Sequence, residues 1–542
     1  MKEKKLKHKI QNILWPCVVF AGVTGVVTGA VVFAFRVISE GVINVSHHIY
    51  GFAHENPQFI PLVVAGAVLA ALLVAFCLTY SPHSRGGGIP TAVALIRGLI
   101  TFHWLRNIVF VFTSALLSYL CGIPLGNDEG PAVQMGTAVG SGTARVLGKK
   151  RRAWERYLMT GGATAGFATA TCAPVTAVLF GLEEGHSRFS PLLIMSSVSS
   201  VLCGMGTLEL LCRLFDKSSA LFHFTIAQVL PLSLVWVVIP VGLLCGGFAY
   251  VFGECTHAIR GLLHKKFKHV HTFFKVAPVF AVVAIIGCVY YDAIGTGHHL
   301  IESLLEHRVA WYVSLLLLVI RSLLVILSND VGATGGLFTP LLSFGALIGS
   351  AVAEALVALN VLDETHFMLM VVVGMVSFFA ASVRTPLTAM AFAIEALSGF
   401  GNILPILLAV MISYVIVEAV GANSINEIAM EREIHKENRG KALHVVDVTV
   451  EALPGSFAIG KEPRDILWPP SCKLLSVKQE NAERHFYTGG HIEENDVLRL
   501  NFTTYDPERT AAELCALLGE QEIYDEDVIS HDTFENTVSE HP

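Results

Sequence analysis

The feature that most constrains this chain is a series of long segments without any acidic or basic residue. Residues 13–35 form one such segment and residues 59–80 form another. About 20 consecutive apolar residues are needed to cross the hydrocarbon core of a bilayer. Charged residues make up only 15% of the chain, against about 25% in soluble domains. We therefore predict an all-α polytopic protein embedded in a lipid bilayer.

Further apolar segments are predicted to cross the membrane, and several are short or interrupted by Gly or Pro: 230–252, 276–291, 309–320, 367–383 and 403–417. Broken or tilted helices of this kind are typical of secondary transporters. The lysines before residue 13 predict a cytoplasmic N-terminus, because basic segments remain on the cytoplasmic side. For the same reason, the basic loops 149–152 and 260–268 are predicted to face the cytoplasm. We expect a multi-pass protein of the plasma membrane with both termini in the cytoplasm.

Two pairs of segments repeat in the same order. Residues 130–141 (GPAVQMGTAVGS) match residues 339–350 (TPLLSFGALIGS) at a separation of 209 positions. Residues 173–183 (APVTAVLFGLE) match residues 385–395 (TPLTAMAFAIE) at a separation of 212. Generic Gly/Ala-rich helix composition is the alternative, but two ordered matches favour a duplication. A duplicated transporter usually binds its substrate where the halves meet.

Each repeated segment has the form of a helix start, with a proline in the first turn. Proline is tolerated there because that N–H has no intrahelical partner. The first N–H groups of a helix carry the positive end of its dipole and bind anions. Two such starts, one from each half, are predicted to meet at one anion-binding point.

Three acidic residues in apolar surroundings are candidates for the anion or proton pathway. Glu129 precedes Pro131, where its carboxylate would compete with an anion for the same N–H groups; a simple helix-capping acid is the alternative. Glu183 and Glu184 end an apolar run. Acidic residues at such a place either line a transport pathway or mark the end of a helix at the membrane interface. Adjacent helical residues point about 100° apart, so one of the two is expected to face a proton route. Other charges in apolar settings are expected to be structural ion pairs or helix-end charges: Arg321, Arg384 and Glu395.

Four motifs in this order resemble the CLC family of chloride channels and transporters, over about residues 13–430. They are Gly86–Pro90 (GGGIP), Glu129–Pro131 (EGP), the Glu183–Glu184 pair and Gly336–Pro340 (GLFTP). The resemblance implies two inverted halves and a homodimer with one anion pathway per subunit. It also implies that Glu129 is the external gate and that Glu184 is the inner proton-transfer acid, with Glu183 beside it.

The resemblance further implies an anion-binding set of backbone N–H groups and one side chain: Gly87, Gly88, Ile89, Gly336, Leu337, Phe338, Thr339 and Asn426. Three positions depart from the family pattern. Gly87 replaces a serine, Asn127-Asp128 replaces a basic residue before the gate, and Asn426 falls where the family has a tyrosine. An amide can donate a hydrogen bond, although its reach differs from that of a phenol.

These residues favour a secondary active antiporter that exchanges chloride for protons. A passive voltage- or pH-gated chloride channel and a fluoride/proton antiporter remain alternatives, and Glu184 argues against both. An enzyme is not expected, because neither HExxH nor a nucleophile elbow occurs. A cation transporter is disfavoured because TVGYG is absent. We expect no cofactor and no nucleic acid polymer as partner. A metal is not expected either, since the eleven cysteines lack zinc-like spacing.

The composition changes sharply after about residue 430. We predict a charged linker over 431–442, a small α+β cytoplasmic domain over 443–519 and an acidic disordered tail over 520–542. Three short strands (445–450, 472–478 and 496–503) precede a helix at 507–518, with Asp506 as N-cap and Gly519 as its end. This pattern is similar to the C-terminal regulatory domain (TrkA-C) of bacterial potassium-uptake proteins. The similarity implies dimerisation, and a cyclic dinucleotide or another small ligand as a possible partner.

The predicted domains are therefore a basic N-terminus (1–12) and a CLC-like membrane domain (13–430), followed by the linker, the regulatory domain and the tail. The halves of the membrane domain are placed at about 13–215 and 226–430.

Overall fold

A computed structural model describes most of the chain: residues 15–147, 149–219, 221–222, 228–267, 270–306, 308–397, 399–479, 482–485, 490–521 and 527–530. The predicted basic N-terminus and most of the acidic tail lie outside the described residues. Within the described residues, nine helices are long and apolar enough to cross a membrane. The expectation of a polytopic helical membrane protein with a small α+β domain is confirmed.

Within the described residues, the first half contains eight α-helices. They are α1 (Trp15–Glu55), α2 (Ile60–Tyr80), α3 (Ile89–Ile96), α4 (Trp104–Leu120), α5 (Glu129–Val146), α6 (Glu155–Thr171), α7 (Pro174–Phe180) and α8 (Pro191–Leu214). A π-helical turn at Gly181–His186 joins α7 to the segment before α8.

The part of the second half that the structure describes contains nine α-helices. They are α9 (Val238–Phe267), α10 (Thr272–Val289), α11 (His298–Glu306), α12 (Trp311–Val331), α13 (Phe338–Ala358), α14 (Phe367–Val383), α15 (Pro386–Glu395), α16 (Ile403–Val420) and α17 (Ile425–Glu437). Helix α17 extends to Glu437, so the first part of the charged linker predicted over 431–442 is helical.

Two helices continue beyond the apolar spans predicted for them because an arginine is accommodated inside each one. In α1, Arg36 donates hydrogen bonds to the carbonyl oxygens of Thr169 (2.9 Å) and Ser219 (3.1 Å). In α12, the fully buried Arg321 donates to the carbonyls of three residues: Asp292 (2.9 Å), Ile294 (2.6 Å) and Gly295 (3.0 Å). These carbonyls accept from the terminal nitrogens of both guanidinium groups, so the charge does not end the helix. The Nε of Arg321 has no partner among the described residues.

The repeat predicted from the sequence appears as matching helix pairs. Pro131 and Pro340 are the third residues of α5 and α13, and Pro174 and Pro386 begin α7 and α15. Helix α5 packs on α6 in the first half as α13 packs on α14 in the second. Each pair meets at glycines whose backbones are in contact, Gly136 with Gly162 and Gly345 with Gly374. A side chain at any of these positions would push the two helices apart.

The chain after residue 443 forms a five-stranded antiparallel sheet in the order β3-β2-β4-β1-β5. The strands are β1 (His444–Glu451), β2 (Lys473–Gln479), β3 (Ala482–His485), β4 (Val497–Thr504) and β5 (Asp527–Ser530), and α18 (Pro507–Leu518) follows β4. The three predicted strands and the predicted helix are confirmed. The Asp506 carboxylate accepts a hydrogen bond from Arg509 N (3.1 Å), and Gly519 (φ 105°) follows the last residue of α18.

The acidic tail departs from its predicted disorder in one place. Residues 527–530 pair antiparallel with β1, and Val528 lies opposite Val446 in this pairing. Without β5, β1 would be an edge strand with unpaired N–H and C=O groups. The tail segment thus completes one edge of the sheet.

Candidate functional site

Three helix starts meet in the middle of the membrane domain, those of α3, α5 and α13. The loops before α5 and α13 form a reciprocal backbone pair, in which Gly126 N donates to Gly336 O and Gly336 N donates to Gly126 O (3.3 Å). The loop before α3 joins them, since Gly335 N donates to Gly86 O (3.3 Å). The prediction that helix starts from the two halves meet is confirmed, and α3 adds a third.

Glycine is required where these loops touch. Gly88 has a φ of 75°, and a Cβ there would collide with the carbonyl of Gly130. A Cβ on Gly130 would collide in turn with Gly87 O and would lie 2.5 Å from Gly336 Cα. The predicted anion-binding turns are thus packed backbone against backbone, which brings amides from both halves to one place.

Glu129 is the first residue of α5 and is fully buried at this meeting point. Its Oε1 accepts a hydrogen bond from the Thr339 hydroxyl at 2.7 Å, across the two halves. Its Oε2 is buried and has no hydrogen-bond partner among the described residues. A carboxylate with one donor and one bare oxygen beside converging helix starts occupies the kind of place that an anion would take.

Phe338, the first residue of α13, is buried beneath the helix starts. Its ring makes edge-to-face contacts with Phe167, Phe379 and Phe392 at centroid distances of 5.2, 4.8 and 5.0 Å. Such packing fixes the backbone of α13 at its first turn. The amides near Leu337 and Thr339 are therefore held in position by an apolar cluster.

A cavity of about 350 Å³, here named the Asp128 cavity, is lined in part by Asn127 and Asp128, the two residues before Glu129. Asp128 lines it, is almost fully buried, and has one oxygen, Oδ1, without a partner among the described residues. The neighbouring Asn127 carbonyl accepts from the Tyr119 hydroxyl at 2.6 Å. Basic side chains also line the cavity: Arg36, His47, Lys217, His298 and His299. Glu40, Asp292 and Glu302 line the cavity as well, so Asp128 shares it with side chains of both charges.

A second cavity, of about 240 Å³ and here named the Glu184 cavity, contains the other predicted proton residue. Glu184 lies in the π-helical turn and is mostly buried. Its carboxylate accepts a hydrogen bond from the side-chain amide of Asn426. Arg97 donates to the backbone carbonyls of Glu184 (2.8 Å) and Gly185 (2.9 Å). Both the side chain and the backbone of Glu184 are therefore held by polar partners.

Glu183 and Glu395 are equivalent residues of the repeat, and each caps a helix of the other half. The Glu183 carboxylate accepts from the backbone N–H groups of Leu387 (3.2 Å) and Thr388 (2.9 Å) at the start of α15. Glu395 accepts in the same way from Val175 (2.9 Å) and Thr176 (2.7 Å) at the start of α7. Glu395 is therefore a helix-end charge, as expected, and Glu183 shares that arrangement while also lining the Glu184 cavity.

The structure brings most of the predicted site residues together. Gly87, Gly88, Ile89 and Gly336–Thr339 lie around Glu129 at the helix starts. Asn426 lies in the Glu184 cavity, away from these helix starts, and its side-chain amide donates to the Glu184 carboxylate. Within the described part of the chain, Asn426 has no hydrogen bond to residues 336–339. Two polar groups were not identified from the sequence, the Thr339 hydroxyl and the Arg97 side chain. A basic residue directly after the apolar run of α3 was the available signal for Arg97.

The fold and this site define a polytopic membrane protein of the transporter class, with broken helices whose starts converge in the core. The family model described as voltage gated chloride channel matches residues 66–418. The chain belongs to that family.

Solved structures show the same fold. One is described as a slow cyanobacterial Cl⁻/H⁺ antiporter, with 25% identity, a TM-score of 0.71, and coverage of 78% of this chain and 99% of that chain. A eukaryotic CLC transporter is 21% identical, with a TM-score of 0.65 and coverage of 78% and 74%. A CLC-type fluoride/proton antiporter is 22% identical, with a TM-score of 0.60 and coverage of 75% and 96%. The likeness to the last two concerns the fold alone.

Proposed function

We propose that this protein is a secondary active antiporter that exchanges chloride for protons, with Glu129 as gate and Glu184 as inner proton-transfer acid. The observation that carries the proposal is the Glu129 carboxylate, buried at the meeting of three helix starts and bonded there to Thr339. Similarity to a protein described as a Cl⁻/H⁺ antiporter supports it.

The proposed cycle follows from competition at the helix starts. When ionised, Glu129 fills the place of an anion and blocks the pathway. When protonated, it loses its attraction for the positive helix ends, swings away and carries a proton with it. An anion then takes backbone amides among Gly87, Gly88 and Leu337–Thr339. The predicted amides of Ile89 and Gly336 already donate to Gly87 O (2.8 Å) and Gly126 O (3.3 Å). Glu184 delivers or accepts the proton at the other end, where Asn426 orients its carboxylate.

Flux from proteoliposomes tests exchange directly. A chloride gradient directed out of the vesicles should drive protons inward if the two movements are coupled. A passive channel would release chloride without any proton uptake, so recording chloride and pH together separates the two functions. Chloride release with no pH change would reject the antiporter.

Fluoride is the second candidate anion, because Asn426 replaces the family tyrosine and the fluoride/proton antiporter has the same fold. We favour chloride because the family resemblance implies no counterpart of Glu184 in the fluoride/proton branch. Here Glu184 lines a cavity and is held by two polar partners, Asn426 and Arg97. Proton uptake driven by matched chloride, nitrate and fluoride gradients decides between them. Uptake driven by fluoride alone would overturn the assignment.

The C-terminal domain is proposed to be a regulatory domain of the TrkA-C type that binds a small anionic ligand such as a cyclic dinucleotide. A cavity of about 350 Å³ between this domain and the membrane domain supports an anionic ligand, because four arginines line it: Arg145, Arg152, Arg156 and Arg509. Glu155 and Glu513 line it as well. Calorimetric titration of the full-length protein with cyclic di-AMP tests the nucleotide version, which an absence of heat would remove.

We also propose a homodimer in the plasma membrane with both termini in the cytoplasm, and no enzymatic step in the cycle. Cross-linking in native membranes should trap a species of twice the monomer mass. A cysteine-reactive, membrane-impermeant label should reach an exposed cysteine placed at Arg464 only from the cytoplasmic side. Labelling from outside intact cells would reverse the proposed orientation.

A further inference from the structure

The segment between β1 and β2 rests on the membrane domain through a small set of polar contacts. The Tyr157 hydroxyl of α6 donates to the carbonyl of Asp465 (2.5 Å) and accepts from Leu467 N (3.1 Å). Arg156 donates through Nη1 to the carbonyls of Leu467 (3.2 Å) and Trp468 (2.6 Å). The C-terminal domain is therefore hydrogen-bonded to the start of α6.

The same Arg156 also holds the end of α3. Its Nε donates to Ile96 O (2.9 Å) and its Nη2 donates to Arg97 O (2.8 Å). Arg509 of α18 donates to the next carbonyl, that of Gly98, at 2.9 Å. The last carbonyls of a helix lack intrahelical partners and favour cations. At α3 these partners come from α6 and from the C-terminal domain.

Arg97 continues this chain of contacts to the proton-transfer residue. Its carbonyl is bound by Arg156, while its own guanidinium donates to the carbonyls of Glu184 and Gly185. Two arginines thus connect Trp468 in the C-terminal domain to the backbone of Glu184. Each connection in the series is a direct hydrogen bond, none longer than 3.0 Å: Trp468 to Arg156, Arg156 to Arg97, and Arg97 to Glu184.

Helix α3, which lies between these contacts, is short, so a displacement at one end moves the other end with it. Helix α3 has eight residues, which corresponds to a length of about 12 Å. Its first residue, Ile89, lies at the meeting of the helix starts, and its last carbonyls are held by the arginines. A displacement of the docked segment would therefore reach both the π-helical turn of Glu184 and the amides at the start of α3.

We propose that Arg156 and Arg97 are positioning residues through which the docked C-terminal domain fixes the backbone of Glu184 and so sets how efficiently protons are exchanged for anions. The proposal rests on the proposed role of Glu184. The role of these arginines differs from that of a purely structural contact in one respect: a variant that loosens their contacts changes proton flux more than anion flux.

Two variants of the full-length protein test this relay in proteoliposomes. Arg97→Gln removes the contacts to Glu184 and Gly185 without touching the carboxylate. Tyr157→Phe removes two docking hydrogen bonds and leaves Arg156 in place, and it provides the measurement should Arg97→Gln fail to fold. We expect proton flux to fall about tenfold in Arg97→Gln, within the loss of about 100-fold that a misplacement of about 1 Å can cause. Tyr157→Phe should shift the ratio in the same direction by a smaller amount.

The matched control is Arg464→Gln, in the same docked segment, because that side chain is exposed and pairs only with Glu462 among the described residues. It should leave the anion-to-proton ratio at the wild-type value. Arg97→Lys, which keeps one donor toward the Glu184 carbonyl, should recover part of the lost proton flux. Equal loss of both fluxes in Arg97→Gln, or an unchanged ratio in every variant, would overturn the proposal.

Glu184→Gln, measured in the same vesicles, separates this inference from the function on which it rests. If Glu184→Gln abolishes proton movement while Arg97→Gln and Tyr157→Phe leave the ratio unchanged, only the relay is wrong. If wild-type protein moves no protons against chloride, or Glu184→Gln changes nothing, the proposed function itself fails.

Discussion

The two acids of the proposed pathway are held in opposite ways. Glu129 is fully buried, receives one hydroxyl from Thr339, and keeps a bare oxygen next to the helix starts. Glu184 lines a cavity, receives an amide on its carboxylate, and has its backbone held by Arg97. The first arrangement suits a side chain that leaves and returns, and the second suits one that stays in place. The comparison predicts a mobile gate at one end and a fixed relay at the other.

The largest effect is expected from Glu129→Gln, which removes the titratable group at the mobile end. Proton movement should fall by about 100-fold or more, the scale of a lost proton-transfer group, while anion flux continues because the neutral amide no longer competes for the helix starts. Simultaneous chloride and pH recordings measure both. Proton coupling that survives this change would place the gate elsewhere.

At the fixed end, Glu184→Gln and Glu183→Gln form a matched pair of adjacent substitutions. Glu184→Gln should abolish proton movement while anions still pass. Glu183→Gln should keep coupling but lower thermal stability, since losing a helix cap costs about 1 kcal/mol and both carboxylate oxygens of Glu183 face α15. The reverse pattern would assign the proton route to Glu183.

These two ends also differ in how far the sequence predicted them. Pro131 and Pro340 identified the helix starts because proline in a first turn is a local signal, and the duplication predicted that the starts would meet. The boundaries of α18 were predicted for the same local reason, from Asp506 and Gly519. The Glu184 end depends on contacts between residues far apart in the chain, such as Arg97 with Glu184 and Arg156 with Trp468, which carry no local pattern.

The apolar spans were underestimated for a related reason. A charged residue predicts the end of a membrane segment, yet α1 and α12 continue through Arg36 and Arg321. Carbonyls of residues distant in the chain accept from the terminal nitrogens of these guanidinium groups. Hydropathy reports the cost of a charge in lipid but not the acceptors that the folded chain brings to it.

A smaller effect, again at the mobile end, is expected from Thr339→Val, which removes the hydroxyl bonded to Glu129 at nearly constant volume. A hydrogen bond donated to the ionised carboxylate favours that form, so without it the gate should be protonated and open at a higher pH. A bond to a charged group contributes about 1.5–3 kcal/mol, and about 1.4 kcal/mol corresponds to one pH unit. The pH of half-maximal anion flux should rise by about one unit or more.

Thr339→Ser is the control for that shift, because it keeps the hydroxyl and loses only a methyl group. Its profile of anion flux against pH should coincide with that of the wild type. A profile of Thr339→Val that also coincides with wild type would show that the hydroxyl does not hold the gate, and the contrast between a bonded mobile acid and a fixed one would lose its basis.

The smallest effect is expected from Asp128→Asn at the cavity beside the gate. A negative charge there opposes anion entry, so its removal should raise anion flux by about twofold at 0.01 M ionic strength, where the Debye length is about 30 Å. At 0.1 M of an impermeant salt, where that length is about 10 Å, the gain should shrink only slightly, because Asp128 is almost fully buried and buried charges are screened much less. Asp292→Asn is the matched control in the same cavity, because Asp292 already pairs with His299 at 3.2 Å. Equal gains in both variants would mean that the pairing leaves the charge of Asp292 unshielded, and a gain in neither would place anion entry outside this cavity.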